Sequence, residues 1–208
     1  MSPIETWARG YALARGYPPP EPVPVGHWLE VGKAEQRGRF VLREFDPAVF
    51  ANLARSIDKP GVYIEAFAPR EAVVPLLPAN WIVRERAYLM TTELRVPEAS
   101  PEASAYTSIA TGDGAVVRVE IRCEHGDLAA SGACGLVGGA CVFDQILTQE
   151  AHRRRGLGTM VMNALVRAAL ERGVVSGVLI ATPEGRALYQ ALGWVQATEV
   201  TSVISPAG

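Results

Sequence analysis

One stretch, residues 146–159 (ILTQEAHRRRGLGT), constrains the fold of this chain more than any other. A strand-like start runs into a polar turn with glycines, and the turn runs into a helix. That helix, residues 156–172, is apolar nearly all round except for one polar stripe, so most of its surface needs cover. Since 49% of the chain is hydrophobic, a sizeable core is available. We therefore expect a buried helix packed on a sheet in a folded α/β protein.

The turn in this stretch has the features of an anion site. Arg153, Gly156 and Gly158 form the pattern R-x-x-G-x-G. Glycines let a ligand approach the backbone closely, and the first turn of a helix has unpartnered amides and a positive potential. Arg154 and Arg155 add positive charge beside Arg153. The combination predicts a site for a pyrophosphate, although a solvated helix start, with glycines that merely permit a turn, would have the same pattern.

Other phosphate-binding patterns are absent from the sequence. It has no G-x-x-x-x-G-K-[ST] loop, and its glycines do not follow the G-x-G-x-x-G of dinucleotide-binding folds. The net charge of -2 and a pI near 6.0 exclude a global positive field. Three neighbouring arginines on such a chain would hold nucleic acid only weakly. We therefore expect neither nucleic acid nor a membrane as partner.

The sequence also bears on location and on metals. The first residues have no apolar segment behind a basic start, and no apolar run reaches the roughly 18 residues of a transmembrane helix. We therefore expect a cytoplasmic protein. Cys123, Cys134 and Cys141 are odd in number and irregularly spaced, without a C-x-x-C pair. This pattern predicts neither a disulfide framework nor a metal site.

Both halves of the chain have the predicted element order β-α-β-α-β. The first half begins with a proline-rich arm at residues 16–24. Its strands are expected at residues 27–31, 39–43, 62–67 and 86–96, and its helices at 46–57 and 70–77. The second half has strands at residues 115–123, 128–137 and 140–148 in an antiparallel meander, then a helix at 156–172, a strand at 177–181, a helix at 184–192 and a strand at 199–204.

A tract rich in Pro, Ser, Thr and Gly, residues 97–114, separates the halves. It predicts an N-terminal α/β lobe at residues 1–97 and a second lobe at residues 98–208. Three identical pairs align at a constant offset of 113: Ala68 with Ala181, Glu71 with Glu184, and Trp81 with Trp194. A duplication would explain these pairs, and so would the general likeness of strand-helix-strand units. Both explanations stay open at this point.

The glycine turn resembles a known coenzyme signature. Arg153-x-x-Gly156-x-Gly158, between a strand and a helix, is similar to the acyl-coenzyme A signature of the GNAT superfamily of N-acetyltransferases. Residues 187–194 (ALYQALGW) resemble the superfamily's A-x-x-L-Y-x-x-L-G-F element, with Trp194 for the Phe. Two motifs in this order, roughly thirty residues apart, are more specific than either alone. The resemblance covers residues 105–204, about half of the chain.

The resemblance implies a mixed, mostly antiparallel sheet with flanking helices in an α/β (α+β) fold. The first half would be a degenerate GNAT-like lobe without a coenzyme motif. The cosubstrate would be acetyl-CoA, and no metal is implied. Its pyrophosphate would lie on the amides of the turn, and its pantetheine arm beside a strand that splays from residues 177–181. The implied coenzyme-binding residues are Ile146, Leu147, Thr148, Arg153, Arg154, Arg155, Gly156, Leu157, Gly158 and Thr159.

The sequence departs from the family pattern at two points. Residues 106–123 have room only for strands and a turn, so the two helices that usually follow the family's first strand are not expected. Glu184 stands where an Asn is common. Because the missing helices usually help to wall the acceptor site, we expect the first half of the chain to provide that wall.

Two residues are candidates for the chemistry of acetyl transfer. Tyr189 falls on the superfamily's tyrosine position, and a phenol with a pKa of about 10 stays protonated at neutral pH and can donate to a departing thiolate. Asp144 lies two residues before Ile146 on the same strand face and is the candidate general base. A core tyrosine and a strand-edge carboxylate are the structural alternatives. Glu150 is a weaker base candidate, and His152 is expected to contact phosphate or solvent.

The predicted function is therefore transfer of an acetyl group from acetyl-CoA to a primary amine, by direct attack. The amine would belong to a small molecule or a peptide, and the protein would be a monomer or a homodimer. The alternative is a non-catalytic acyl-CoA-binding or regulatory module, which would keep the coenzyme cradle without acceptor chemistry. An acyl-cysteine route has little support, because Cys134 and Cys141 have no neighbouring histidine in the sequence.

Overall fold

The computed structural model of the protein describes residues 1–97, 105–112 and 114–206. Its helices are α1 (Pro3–Arg15), α2 (Pro47–Ser56), α3 (Arg70–Val73), α4 (Leu157–Leu170) and α5 (Pro183–Ala191), with 3-10 turns at Val74–Leu76 and Glu150–His152. Its strands are β1 (Glu21–Val23), β2 (Gly26–Lys33), β3 (Gln36–Leu42), β4 (Val62–Ala66), β5 (Ile82–Val83), β6 (Ala87–Glu93), β7 (Tyr106–Gly112), β8 (Val116–Cys123), β9 (Leu128–Val137), β10 (Ala140–Thr148), β11 (Ser176–Ala181) and β12 (Val195–Ile204). None of the helices in these ranges is long and apolar enough to cross a membrane.

The described strands form one sheet. Its order is β1-β2-β3-β4-β12-β6-β11-β10-β9-β8-β7, and β5 pairs with β12 off this path. The pairs β3-β4 and β10-β11 are parallel, and the other pairs in the described ranges are antiparallel. The prediction of a mixed, mostly antiparallel sheet with flanking helices is therefore confirmed, as is the meander of β8, β9 and β10.

Two strands cross between the predicted halves. β6, from the first half, lies between β11 and β12, whereas β12, from the second half, lies between β6 and β4. On one side of the sheet, β3 and β4 are parallel and β4 and β12 are antiparallel. On the other side, β10 and β11 are parallel and β11 and β6 are antiparallel. Because β12 and β6 pair at the centre, the two halves of the sheet have the same sequence of strand directions. The predicted lobe boundary stays a prediction, and residues 98–104 and 113 of the tract 97–114 lie outside the described residues.

The two faces of the sheet have different covers around β10 and β11. Phe143 and Leu179 pack with α4 and α5 on one face, whereas Val142 and Val178 pack with α1 on the other. A third apolar cluster lies under α2, on β3, β4 and β12. The first half of the chain thus contributes α1 to the part of the sheet that carries the predicted coenzyme motif.

α1 is an element that the sequence pattern did not predict, although its ends have ordinary signals. Ser2 Oγ accepts a hydrogen bond from the Glu5 amide at 3.2 Å, Pro3 is the first helical residue, and Gly16 ends the helix with φ 69°. Gly10 lets the helix approach the sheet closely, because a Cβ there would lie 2.3 Å from a side-chain carbon of Val142. Small residues at the contact blur the apolar periodicity that usually reveals a helix.

Several predicted boundaries need correction. Residues 70–77 form only the short helix α3 and a 3-10 turn, because Pro75 has no amide hydrogen and its ring prevents a longer α-helix. The strand predicted at 86–96 ends at Glu93. The strand predicted at 199–204 begins at Val195, where it already pairs with β6. The proline-rich arm contains β1, an edge strand, where proline is tolerated.

Candidate functional site

β10 and β11 separate part-way along their length. Their parallel pairing ends at Phe143 opposite Leu179, after which β10 continues beside β9 and β11 beside β6. The register of β10 against β9 shifts after Asp144, and Gln145 has a left-handed φ of 57°. This bulge turns β10 away from β11 and leaves a gap between two parallel strands. The splay that the sequence predicts is present at this gap.

The gap opens into a cleft of about 570 Å³ between β10, β11, α4 and α5. Eleven of the twelve predicted site residues line it, and Arg155 is the exception. The other lining residues, which the sequence did not predict as site residues, are Phe143, Gln145, Ile180, Ala181, Thr182, Glu184, Gly185 and Leu188. Strand, turn and two helices therefore bring the two sequence motifs to one concave site.

α4 begins at this cleft without a capping side chain. Gly156 is its N-cap residue, with φ 76°, and no atom lies within 4 Å of the place that a Cβ would take. The first-turn amides, which have no partner within a helix, are therefore accessible to an anion. α2 differs, because the Asp46 side chain accepts a hydrogen bond from the Val49 amide at 2.9 Å. A carboxylate already occupies that helix start, so only the strand-helix unit of the second half suits an anion.

The three arginines of the turn have different environments. Arg153 and Arg154 are exposed and line the cleft. Arg155 turns away, and its Nη1 donates to the Tyr106 hydroxyl at 3.0 Å. The same hydroxyl lies 3.0 Å from Nδ1 of His152, so His152 also faces Tyr106. β7 thus holds this guanidinium outside the cleft, and the coenzyme-binding role of Arg155 stays a prediction.

Tyr189 lies at the inner wall of the cleft. It is 8% exposed, and its ring centre lies 6.1 Å from that of Trp194. Its hydroxyl makes no hydrogen bond with any residue in the described ranges, so its proton is free for a ligand. Burial raises the pKa of Tyr189 to about 12, and the negative charge of Asp144 contributes to the rise. The phenol is therefore protonated throughout the physiological pH range.

Asp144 is held by an arginine from the first half of the chain. Arg15, the last residue of α1, donates from Nε to Oδ2 at 2.6 Å and from Nη2 to Oδ1 at 3.1 Å. Both side chains are mostly shielded from solvent, with exposed fractions of 30% for Arg15 and 16% for Asp144. Each carboxylate oxygen thus has a cationic donor, and the two hydrogen bonds fix the orientation of the carboxylate.

Sequence reasoning missed two residues of this site, Arg15 and Tyr106. Arg15 follows from α1, which the signals at Ser2, Pro3 and Gly16 could have revealed. Tyr106 reaches His152 across 46 positions of sequence, and no local pattern indicates such a pair. Long-range contacts of this kind follow from strand order, which one sequence does not specify.

The described residues contain no group of three or more side chains that could hold a metal ion. Glu150 is exposed and is not among the residues that line the cleft. Cys134 and Cys141 are fully buried, and burial raises the pKa of the Cys141 thiol. A thiol in this state is a poor nucleophile.

A sequence profile of the acetyltransferase (GNAT) family matches residues 85–194, more than half of the chain. The chain belongs to the GNAT acetyltransferase family. The match begins just before β6 and ends at Trp194, so it includes the strand that crosses from the first half and both sequence motifs. Family and fold together indicate acyl-CoA-dependent acyl transfer. No curated protein sequence matches this GNAT chain.

Solved GNAT structures are similar to this chain in fold. A GCN5-related N-acetyltransferase from Kribbella flavida is 18% identical, with a TM-score of 0.63 over 97% of this chain and 96% of that one. Another from Sphaerobacter thermophilus is 12% identical, with a TM-score of 0.55 over 69% and 59% of the two chains. A tandem GNAT protein from the clavulanic acid biosynthesis pathway is 14% identical, with a TM-score of 0.56 over 88% and 74%. The shared fold extends over both halves of the chain.

Proposed function

We propose that this GNAT protein transfers an acetyl group from acetyl-CoA to a primary amine of a small molecule or peptide. The observation that carries the proposal is the cleft where β10 leaves β11, with an uncapped helix start at its mouth and Tyr189 in its wall. Both features come from the two motifs that resemble the family signatures. Acetyl-CoA, when bound, supplies an activated thioester carbon for attack by the amine.

The residues of the cleft fit the coenzyme in charge and in backbone access. The first-turn amides at Gly158 and Thr159, with Arg153 and Arg154 beside them, would hold the pyrophosphate. Residues 146–148 would accompany the pantetheine arm, because the splay leaves backbone groups of β10 without a partner on the β11 side. The arm would thereby be directed towards the gap beyond Phe143.

Tyr189 would act at the leaving sulfur. Negative charge develops there during transfer, and a free thiol with a pKa of about 8.5 is a poor leaving group at neutral pH without a hydrogen-bond donor. Burial keeps Tyr189 protonated, with its pKa at about 12. Because this pKa exceeds that of a thiol, Tyr189 would contribute chiefly as a donor to the developing charge rather than by releasing its proton beforehand.

The amine needs to be neutral when it attacks. A lysine-like amine with a pKa of about 10.4 costs roughly 4–5 kcal/mol to deprotonate at neutral pH. The sequence predicts Asp144 for this role, but both of its oxygens accept hydrogen bonds from Arg15. Water at the open side of the cleft would therefore take the proton, and Asp144 would act through its fixed charge and position.

Binding of acetyl-CoA is the first test. At a ligand concentration one hundred times Kd, binding stabilises a folded protein by about 2.7 kcal/mol, which is visible as a rise in Tm. Absence of any rise would contradict both acetyl transfer and the non-catalytic alternative, an acyl-CoA-binding module. CoA that lacks an acyl group serves as the second ligand.

Turnover separates these two functions. Release of free thiol from acetyl-CoA, measured with a panel of primary amines, is expected for the wild type. Tyr189→Phe should lower kcat by about 100-fold, because one donor to the developing charge is lost, while the rise in Tm with acetyl-CoA persists. Tyr63→Phe, on β4 in the first half, is the matched control and should leave kcat unchanged.

Equal rates in Tyr189→Phe and wild type would remove Tyr189 from the mechanism. Coenzyme binding without amine-dependent thiol release would favour the non-catalytic module.

A further inference from the structure

We propose that Arg15 is a positioning residue, which holds the bulge of β10 open from the opposite face of the sheet and so shapes the coenzyme cleft. The proposal goes beyond the chemistry in the cleft, since Arg15 lies on α1 in the other half of the chain. It rests on the proposed function only for its kinetic consequences.

The ion pair of Arg15 with Asp144, which we call the clamp, restrains the backbone of β10 because of where Asp144 lies. Asp144 directly follows Phe143, the last residue of β10 that pairs with β11, and directly precedes Gln145, which has the left-handed φ. Strand alternation places Phe143 on the α4 face and Asp144 on the α1 face. Two charge-assisted hydrogen bonds from Arg15 fix Asp144 on that face. The strained backbone of the bulge is therefore anchored from the α1 face of the sheet.

Arg15 is itself held in place by the first half of the chain. Its guanidinium carbon lies 4.6 Å from the centre of the Tyr11 ring, and that of Arg39, on β3, lies 4.7 Å from the same ring. Arg39 Nη1 donates to Glu65 Oε1 on β4 at 2.8 Å, in a buried pair. The Tyr11 ring thus lies between two arginines, each paired with a carboxylate. Through this stack the first half of the sheet fixes the clamp.

Burial alone would lower the pKa of Arg15, but hydrogen bonds and charge attraction from Asp144 outweigh burial, so that the pKa of Arg15 is raised. The Arg15 guanidinium therefore stays positively charged beside Asp144.

The surroundings of Asp144 indicate what removal of Arg15 would do. Titratable and charged groups from several elements surround Asp144. They are Arg15 and Tyr11 from α1, Tyr17 from the segment after it, Tyr189 from α5 and Arg39 from β3. Arg118 from β8 belongs to the same group, because it pairs with Ala133 on β9, which in turn pairs with Asp144. Only Arg15 among them donates hydrogen bonds to the carboxylate. Without it, the carboxylate would lose both of its charge-assisted hydrogen bonds, and the bulge would lose its anchor on this face.

Hydrogen exchange in the ligand-free protein tests the clamp directly. We expect amides of residues 145–148 to exchange at least about tenfold faster in Arg15→Ala than in the wild type, because the opened state of the bulge becomes more populated. Arg15→Lys should give an intermediate rate, since one ammonium cannot reproduce the forked pair. Arg9→Ala, which removes an exposed Arg9–Glu5 pair on the same helix, is the matched control and should exchange like the wild type.

Kinetics distinguish positioning from general stability. Arg15→Ala should lower kcat/KM for acetyl-CoA by about 10- to 100-fold, since small displacements of a site are costly. Unchanged exchange at residues 145–148 in Arg15→Ala would overturn the proposal, and so would a kcat/KM for acetyl-CoA equal to that of the wild type. If the wild type releases no thiol, the proposed function fails, and the exchange rates alone decide on the clamp.

Discussion

At the scale of residues, the site depends on two backbone conformations that differ in cost. Gly156 starts α4 with φ 76° without strain, because glycine has no Cβ. Gln145 adopts φ 57° in the bulge, where a side chain is disfavoured, so the surrounding contacts have to compensate. The sequence indicated the first from its R-x-x-G-x-G pattern. It did not indicate the second, because glutamine has no preference for the left-handed region.

Replacement of Gly156 tests the anion site. Gly156→Ala places a Cβ in the open space at the helix start and should abolish the rise in Tm that acetyl-CoA causes in the wild type. Gly173→Ala is the matched control, because Gly173 has φ 74° and equally open surroundings at the other end of α4. Both should lose about 1–2 kcal/mol of stability from left-handed strain. Equal acetyl-CoA affinity in the two variants would contradict the placement of the pyrophosphate.

Tyr189 should also affect stability at alkaline pH. The pKa of Tyr189 is about 10 in an unfolded chain and about 12 in the folded protein. Its contribution to the free energy of unfolding is therefore fully present below pH 10 and is lost as pH rises towards 12. Between pH 9 and pH 11 this amounts to a loss of roughly 1.3 kcal/mol in the free energy of unfolding. Urea unfolding of the wild type should show this steeper decline relative to Tyr189→Phe. Parallel curves for the two proteins would mean that the phenol is not buried as described.

At the scale of elements, the two strand-helix units differ in their helix starts. α4 begins at a glycine, and α2 begins at an aspartate that caps it. The sequence predicted this difference, because Asp46 with Pro47 and the glycine turn are local signals. It also predicted the splay of β10, through the family resemblance. It did not predict α1, where small residues at the helix-sheet contact obscure the apolar period, and so it missed Arg15.

The cap of α2 provides a further test at this scale. Asp46→Ala removes the acceptor for the Val49 amide and should cost about 1 kcal/mol of stability in urea unfolding. The rise in Tm with acetyl-CoA should be the same as in the wild type, since α2 lies away from the cleft. A loss of coenzyme affinity in this variant would mean that the first half also takes part in binding the phosphates.

At the scale of the whole molecule, the sheet has matching strand directions on either side of β6 and β12. The three residue pairs at an offset of 113 lie at similar places: Ala68 two residues after β4 and Ala181 at the end of β11, Glu71 and Glu184 in α3 and α5, and Trp81 and Trp194 just before β5 and β12. A duplication would explain this correspondence and stays a prediction. The sequence did not predict the exchange of β6 and β12, because strand pairing across the centre of the sheet leaves no local pattern.

That exchange has a mechanical consequence. Each half of the chain contributes its last strand to the other half of the sheet, so backbone hydrogen bonds join the two halves. Separating them would break the ladders of β6 with β11 and of β12 with β4, each buried within the sheet. A hinge between the halves could open the coenzyme cleft only by breaking these ladders. The turn at residues 149–156, by contrast, lies outside the strand ladders and can move without breaking any of them.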